Sequence, residues 1–177
     1  MDEHTYHDLP YGLKKTYKIT PNAEAAEFLQ AEVQEFFGYK SKSKREKYAD
    51  IWINENYGIN VKTDNLNSQQ NKGRLCTAEV NQWLKNENNK LSFIFIEYTN
   101  DNGDLEIQSV QTRNIEEVEY EISNQGKGLL QPKRYRNKVV FRSTISRSEW
   151  MEEFKIKYAD FIDKQIKRFE EKKKHWC

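Results

Sequence analysis

Four residues of one short stretch, Asp50, Asn60, Val61 and Lys62, have the types and spacing to act on a phosphate. They lie in ADIWINENYGINVKT, residues 49–63, which reads as two strands, DIWI and INVKT. NENYG joins them as a turn, and Gly58 is expected to supply a positive φ there. In an antiparallel hairpin with so short a turn, the start of one strand meets the end of the other, which sets Asp50 beside Asn60–Lys62. Asp50 would offer a carboxylate oxygen, Asn60 an amide oxygen and Val61 a backbone carbonyl. That oxygen set suits Mg²⁺, which keeps several waters. Lys62 would hydrogen-bond one such water, orient it for attack and offset charge on a phosphate. The plainer reading is that Asp50 ends a turn and Lys62 is an edge-strand charge that opposes aggregation.

Glu32 is the fifth residue of interest. The helix NAEAAEFLQAEVQEFF is expected to start with Thr20 as N-cap and Pro21 at its first position, and to stop at Gly38. Ala25, Phe28, Leu29, Val33 and Phe36 make its apolar face, and Glu32 falls inside that arc. A carboxylate facing a core must be paired, protonated or bound to a cation. Glu32 is therefore expected to serve the metal site, unless its side chain reaches out to solvent.

Ala49-Asp50 followed by INVKT resembles the PD-(D/E)XK nuclease superfamily, and within it the type II restriction endonucleases. Ala49 stands where the family often has Pro, and Asn60-Val61-Lys62 stands where it has an acidic residue, any residue, then Lys. The helix with Glu32, and the helix and buried strand after the hairpin, are similar to the family's core order. The resemblance covers about residues 22–100, roughly half the chain. It implies an Mg²⁺-dependent, sequence-specific endonuclease that hydrolyses phosphodiester bonds of double-stranded DNA with a metal-activated water. Catalysis would rest on Asp50, Asn60, Lys62 and Glu32, and the metal on Asp50, Asn60, Val61 and Glu32. Asn60 departs from the pattern and removes one carboxylate, which bears on how many metals are held.

These residues need elements to position them. Residues 1–19 read as an arm with a short strand at KKTYKIT. After the hairpin come a polar loop DNLNSQQNKGR, a helix TAEVNQWLKNE capped by Thr77, and a buried strand LSFIFIEYT. Strands follow at LEIQSVQT, EEVEYEIS and KVVFRSTI, with a basic loop NQGKGLLQPKRYRNK between the last two. Ser146 and Glu149 form a capping box that opens a long last helix. Its stripe of Trp150, Phe154, Tyr158, Phe161, Ile162 and Phe169 is expected to serve as core or dimer seam, and Lys164, Lys167, Arg168 and Lys172–Lys174 make the other side basic. The expectation is an α+β domain with a central mixed sheet flanked by helices, a restriction-endonuclease-like core and a long C-terminal helix. It is read as one domain over 1–177: an arm to 19, a catalytic core over 20–100, strands and a basic loop over 101–145, and the helix over 146–177.

If the partner is DNA, Lys42, Lys44, Arg45 and Lys47 would contact its backbone. Asn65, Asn67, Gln69, Gln70, Lys72 and Arg74 leave the motif strand directly and could read base edges, as could Gln131, Lys133, Arg134 and Arg136. One site per chain implies a homodimer for cutting both strands. The net charge of +1 gives no global pull toward nucleic acid. Three histidines near the ends and two cysteines, Cys76 and Cys177, offer neither a triad nor a zinc set, and the thiols suit a reducing cytoplasm. No apolar run reaches the roughly 20 residues of a membrane span. Two other readings use the same fold or surface. One is a Holliday junction resolvase or repair nickase, and the other is a non-catalytic nucleic-acid-binding module in which Asn60 marks a lost site.

Overall fold

The structure, a computed structural model, describes residues 9–20, 24–38, 48–67, 74–123, 128–136 and 138–176. The chain divides into two compact units. One holds residues up to Gly73 and Lys90–Ile115, and the other holds Arg74–Asn89 and residues from Glu116 onward.

The first unit is a five-stranded sheet with one helix on it. Its elements are β1 (Thr16–Lys18), α1 (Ala25–Phe36), β2 (Ile51–Asn54), β3 (Tyr57–Asn65), β5 (Lys90–Asp101) and β6 (Asp104–Asn114), in spatial order β1-β6-β5-β3-β2. β2 and β3 form an antiparallel hairpin. β3 and β5 run parallel, in register from Tyr57↔Lys90 to Asn65↔Tyr98. Parallel neighbours cannot be joined by a tight turn, and residues 66–89 supply the crossover. β5 and β6 return to antiparallel pairing through a turn in which Asn102 and Gly103 both have positive φ, 50° and 99°. That is the conformation a twisted two-residue hairpin turn requires.

One face of this sheet is apolar. Leu29 and Val33 of α1 are buried against it in a cluster with Ile51, Ile59, Val61, Ile94, Ile96, Leu105 and Ile107. α1 starts later than its sequence suggested, with Glu24 at the N-cap, because Ala25 is the first residue with helical geometry; Thr20 lies well before it, and Pro21 falls outside the described residues. It stops as expected at Gly38, whose φ is +72° and whose N–H donates to the Glu35 carbonyl at 2.8 Å. Phe36, counted in the apolar face, is 57% exposed, since its place in the last turn carries it past the sheet.

The second unit contains β4 (Cys76–Thr77), α2 (Val80–Leu84), β7 (Tyr120–Ser123), β8 (Leu129–Pro132), β9 (Arg134–Tyr135), β10 (Lys138–Val139) and α3 (Arg147–Trp176). β4, β8 and β7 form a three-stranded antiparallel sheet. The helix expected from Thr77 is shorter, because pairing with β8 takes Cys76 and Thr77 into a strand. EEVEYEIS is a strand only over Tyr120–Ser123; Ile115–Glu117 is a 3-10 turn. The strand expected over 138–145 is reduced to two residues paired with β9, plus an isolated bridge at Phe141. The basic loop likewise contains β8 and β9 rather than being open throughout. The capping box forms as read: Glu149 Oε2 accepts from the Ser146 N–H at 2.8 Å, and Ser146 Oγ accepts from the Glu149 N–H at 3.2 Å. The Ser146 hydroxyl, which donates to Glu149 Oε2 at 2.7 Å, and the Ser146 N–H hold the Glu149 carboxyl below its ordinary range. Trp150, Phe154 and Phe161 are buried, with rings stacking in sequence from Tyr120 along α3.

The expected class therefore holds: α+β, with a mixed central sheet and a long C-terminal helix. Among the described residues no helix is long and apolar enough to cross a membrane.

Candidate active site

The hairpin brings Asp50 to Asn60–Val61, and hydrogen bonds fix it there. Ile51 pairs with Ile59, so Asp50 lies one step beyond the last ladder pair. Its N–H donates to the Ile59 carbonyl at 2.9 Å. Its carboxylate then replaces the strand that has ended: Asp50 Oδ2 accepts the Val61 N–H at 2.9 Å. Its carbonyl accepts from Gln34 Nε2 of α1 at 3.3 Å. Asn60 is buried, and its Nδ2 donates to the carbonyl of Tyr48. Asp50 and Lys62 are each half-buried.

Gly58 does not serve the turn. It lies within β3 without a positive φ, and the turn is Glu55–Asn56. Its need for glycine is steric: a Cβ built there would sit 2.6 Å from the Cβ of Ala49, the residue before Asp50.

Strand alternation sorts the remaining groups. Asn60, Lys62 and Asp64 share one face of β3, and Val61 with Ile59 shares the other, against α1. Across the parallel register, Asn60, Lys62 and Asp64 neighbour Phe93, Phe95 and Glu97. Glu97 Oε2 accepts from Ser109 Oγ at 2.7 Å on β6. Asp64 and Glu97 thus stand on the same face as Lys62, and the sequence reading named neither. The signals were there: Asp64 continues the period of two from Lys62, and Glu97 is the charge in an otherwise apolar strand.

Glu32 is half-buried and engaged with the arm. Its carboxylate acts on the Tyr17 hydroxyl, which accepts the Lys14 N–H at 2.8 Å. Burial pushes the Tyr17 hydroxyl above its ordinary pKa; the Lys14 bond opposes the rise and the Glu32 carboxylate adds to it. The α1 side chain that reaches Asp50 is Gln34, two positions on, which no periodicity marked out.

Of the residues read as DNA contacts, Lys42, Lys44, Arg45, Lys47, Gln69, Gln70 and Lys72 lie outside the described residues. In the first unit, Asn65 ends β3 and its Oδ1 accepts the Asn67 N–H at 3.0 Å, closing a local turn. In the second unit, Arg74 is exposed and Lys133 pairs with Glu119 at 3.2 Å. Arg134 is half-buried in β9, and Arg136 lies over the Tyr135 ring at 5.3 Å. Gln131 is a strand residue opposite Glu121, and both line a cleft of about 430 Å³ with Ser123, Lys157 and Lys164.

Asp50 fits a divalent cation in part. One carboxylate oxygen is held by Val61, and the other has no hydrogen bond from a described residue. Strand geometry turns the Val61 carbonyl to the same edge as its N–H, beside Asp50. Among the described residues no group of three or more His, Cys, Asp or Glu could hold a metal, so any such site draws on backbone and water oxygens.

No family model matches the chain, and no curated protein sequence matches it. Among solved structures, the NlaIV restriction endonuclease matches with a TM-score of 0.43 and 10% identity, over 86% of this chain and 82% of that one. At that distance no residue and no reaction is carried from one chain to the other.

Proposed function

We infer that the protein is an Mg²⁺-dependent DNA endonuclease of the restriction type, cutting phosphodiester bonds of duplex DNA at the β2–β3 hairpin. The observation that carries the reading is the hold on Asp50: its carboxylate is fixed through one oxygen to the Val61 N–H, beside the strand that bears Lys62. Asp50 and the Val61 carbonyl are the groups that would hold the cation. When bound, Mg²⁺ supplies Lewis-acid stabilisation of charge on the scissile phosphate. Lys62 donates hydrogen bonds to the attacking water and to a non-bridging phosphate oxygen, orienting the first and offsetting charge on the second. Its charge, half-buried on a strand, interacts more strongly than in open water. Asn65 and Asn67 follow Lys62 closely in the chain and are assigned to the DNA beside the cut; Gln131, Lys133, Arg134 and Arg136 of the second unit are proposed DNA contacts in their own right. One chain carries one site, so cutting both strands calls for a second copy.

The test is incubation with bacteriophage-length duplex DNA, in Mg²⁺ or in EDTA, beside Lys62→Ala and Asp50→Asn. Asp50→Asn keeps an acceptor for the Val61 N–H and so spares the fold. Discrete fragments that require Mg²⁺, with the rate reduced roughly 10²-fold or more in each variant, are expected. Nicking without discrete fragments would favour the nickase or resolvase. DNA retention without any cutting would favour a binding module in which Asp50 only closes the hairpin.

A further inference from the structure

We propose that Asn60 is a positioning residue whose Nδ2 holds in place the segment that carries Asp50, so that position 60 needs a hydrogen-bond donor rather than a charge; the inference rests on the reading of the site just given. Asn60 is only 5% exposed, so its amide must be satisfied within the protein. Its Nδ2 donates to the carbonyl of Tyr48, two residues before Asp50. The Asp50 N–H is held by Ile59, its carbonyl by Gln34 and its Oδ2 by Val61. Together these bonds lock residues 48–50 onto α1 and β3.

The chemistry of the tie selects an amide. The atom facing Asn60 is a carbonyl oxygen, which only accepts, so the side chain must present a donor. This also fixes which end of the amide points where, since its nitrogen must face Tyr48. An ionised carboxylate has no donor to give. Placed at position 60, it would meet the Tyr48 carbonyl and add a second negative charge next to Asp50 in the same hairpin. Restoring the acidic residue that Asn60 replaces is therefore expected to damage the site rather than improve it. Of the paired positions 50 and 60, only the first then carries a carboxylate, and the second is a structural tie.

The experiment needs no DNA. Full-length wild type, Asn60→Asp, Asn60→Ala and Asp50→Asn are compared for thermal midpoint in EDTA and for Mn²⁺ affinity by calorimetry. Both Asn60 variants lose the hydrogen bond that buried Asn60 donates to the Tyr48 carbonyl and should melt lower in EDTA by about 4 °C or more. Asn60→Asp should bind Mn²⁺ no more tightly than wild type, whereas Asp50→Asn should lose binding. Mn²⁺ affinity raised tenfold or more in Asn60→Asp would overturn the proposal, because it would place position 60 at the ion. An unchanged midpoint for Asn60→Ala in EDTA would overturn it as well, and that variant decides if Asn60→Asp does not fold. Wild type that binds no Mn²⁺, with both midpoints still lowered, would instead overturn the nuclease reading and leave the tie to Tyr48 standing.

Discussion

Gly58 and Ala49 show how closely the chain is built around Asp50. The two backbones approach until a single methyl group on Gly58 would lie 2.6 Å from the Ala49 Cβ. Gly58→Ala must push the segment bearing Asp50 away from β3, and should cost about 1–3 kcal/mol in urea unfolding. It should also weaken Mn²⁺ binding, since the Asp50–Val61 hydrogen bond depends on that approach. At this scale the sequence was partly legible. The pairing of Asp50 with Asn60–Lys62 followed from turn length and the period of two. The bonds that fix Asp50 did not, because two of its partners are backbone atoms of Ile59 and Val61, which carry no sequence signal, and the third, the Gln34 side chain, lies outside the apolar periodicity of α1. Glu32 was read from its place in the apolar arc, but the arm supplies the phenol of Tyr17, and no helical periodicity reports what a distant segment brings.

At the scale of the element, α3 was the most legible and is put to two different uses. Its first half packs: Trp150 and Phe154 are buried, Glu153 ties the helix to Arg142 at 2.5 Å, and Lys157, one turn on from Glu153, donates to the Tyr120 carbonyl at 2.6 Å. Burial pushes the Glu153 carboxyl up, but the hydrogen bonds from Lys157 and Arg142 outweigh it and hold the group below its ordinary value. A depressed carboxyl contributes stability above its unfolded pKa and loses it as pH falls through the folded one. Calorimetry across the acid range should therefore show wild type losing thermal midpoint below the ordinary glutamate pKa of about 4.3 more steeply than Glu153→Gln. The second half does not pack: Ile162, Ile166 and Phe169 are 39%, 49% and 68% exposed, at spacings that make a coiled-coil seam. The flanks of that seam are Asp163 and Glu170 on one side, Gln165 and Lys172 on the other, so a parallel second copy sets Glu170 against Gln165 and opposes no like charges. Sedimentation should give a dimer for wild type and a monomer for Ile166→Asp, with the fold intact by circular dichroism. β5 was read equally well from its continuous apolar run. β4 and β10 were missed because two-residue strands are made by their partners, not by local preference.

For the whole molecule, the two units are interleaved along the chain. Residues 74–89 belong to the second unit although they interrupt the first. β4 lies within that insert and pairs with β8, and the flanking Leu75 and Ala78 N–H groups donate to Leu130 and Gly128 at 2.8 and 3.2 Å. Truncation after residue 115 removes all of these partners but leaves the ladders of β2, β3, β5 and β6 complete. Hydrogen exchange on such a fragment should show Leu75 and Ala78 unprotected while β3 and β5 keep slow amides. Loss of protection throughout would mean that the first unit depends on the second to fold. The mixed class was foreseeable from the alternation of apolar runs and helical stripes, whereas the interleaving was not, because it is decided by pairings between residues about fifty apart.

The one-oxygen grip on Asp50 has a consequence for ion choice. On the proposed reading, with Oδ2 accepting from the Val61 N–H, a cation would approach chiefly through the other carboxylate oxygen, on a side chain held by that bond. Monodentate capture with the remaining positions left to water suits a small octahedral ion that dehydrates reluctantly. A larger ion such as Ca²⁺, which fills seven or eight positions partly by chelation, gains less from such a site. If the site binds a cation as proposed, denticity, biased by one backbone amide, would act as the filter for the metal.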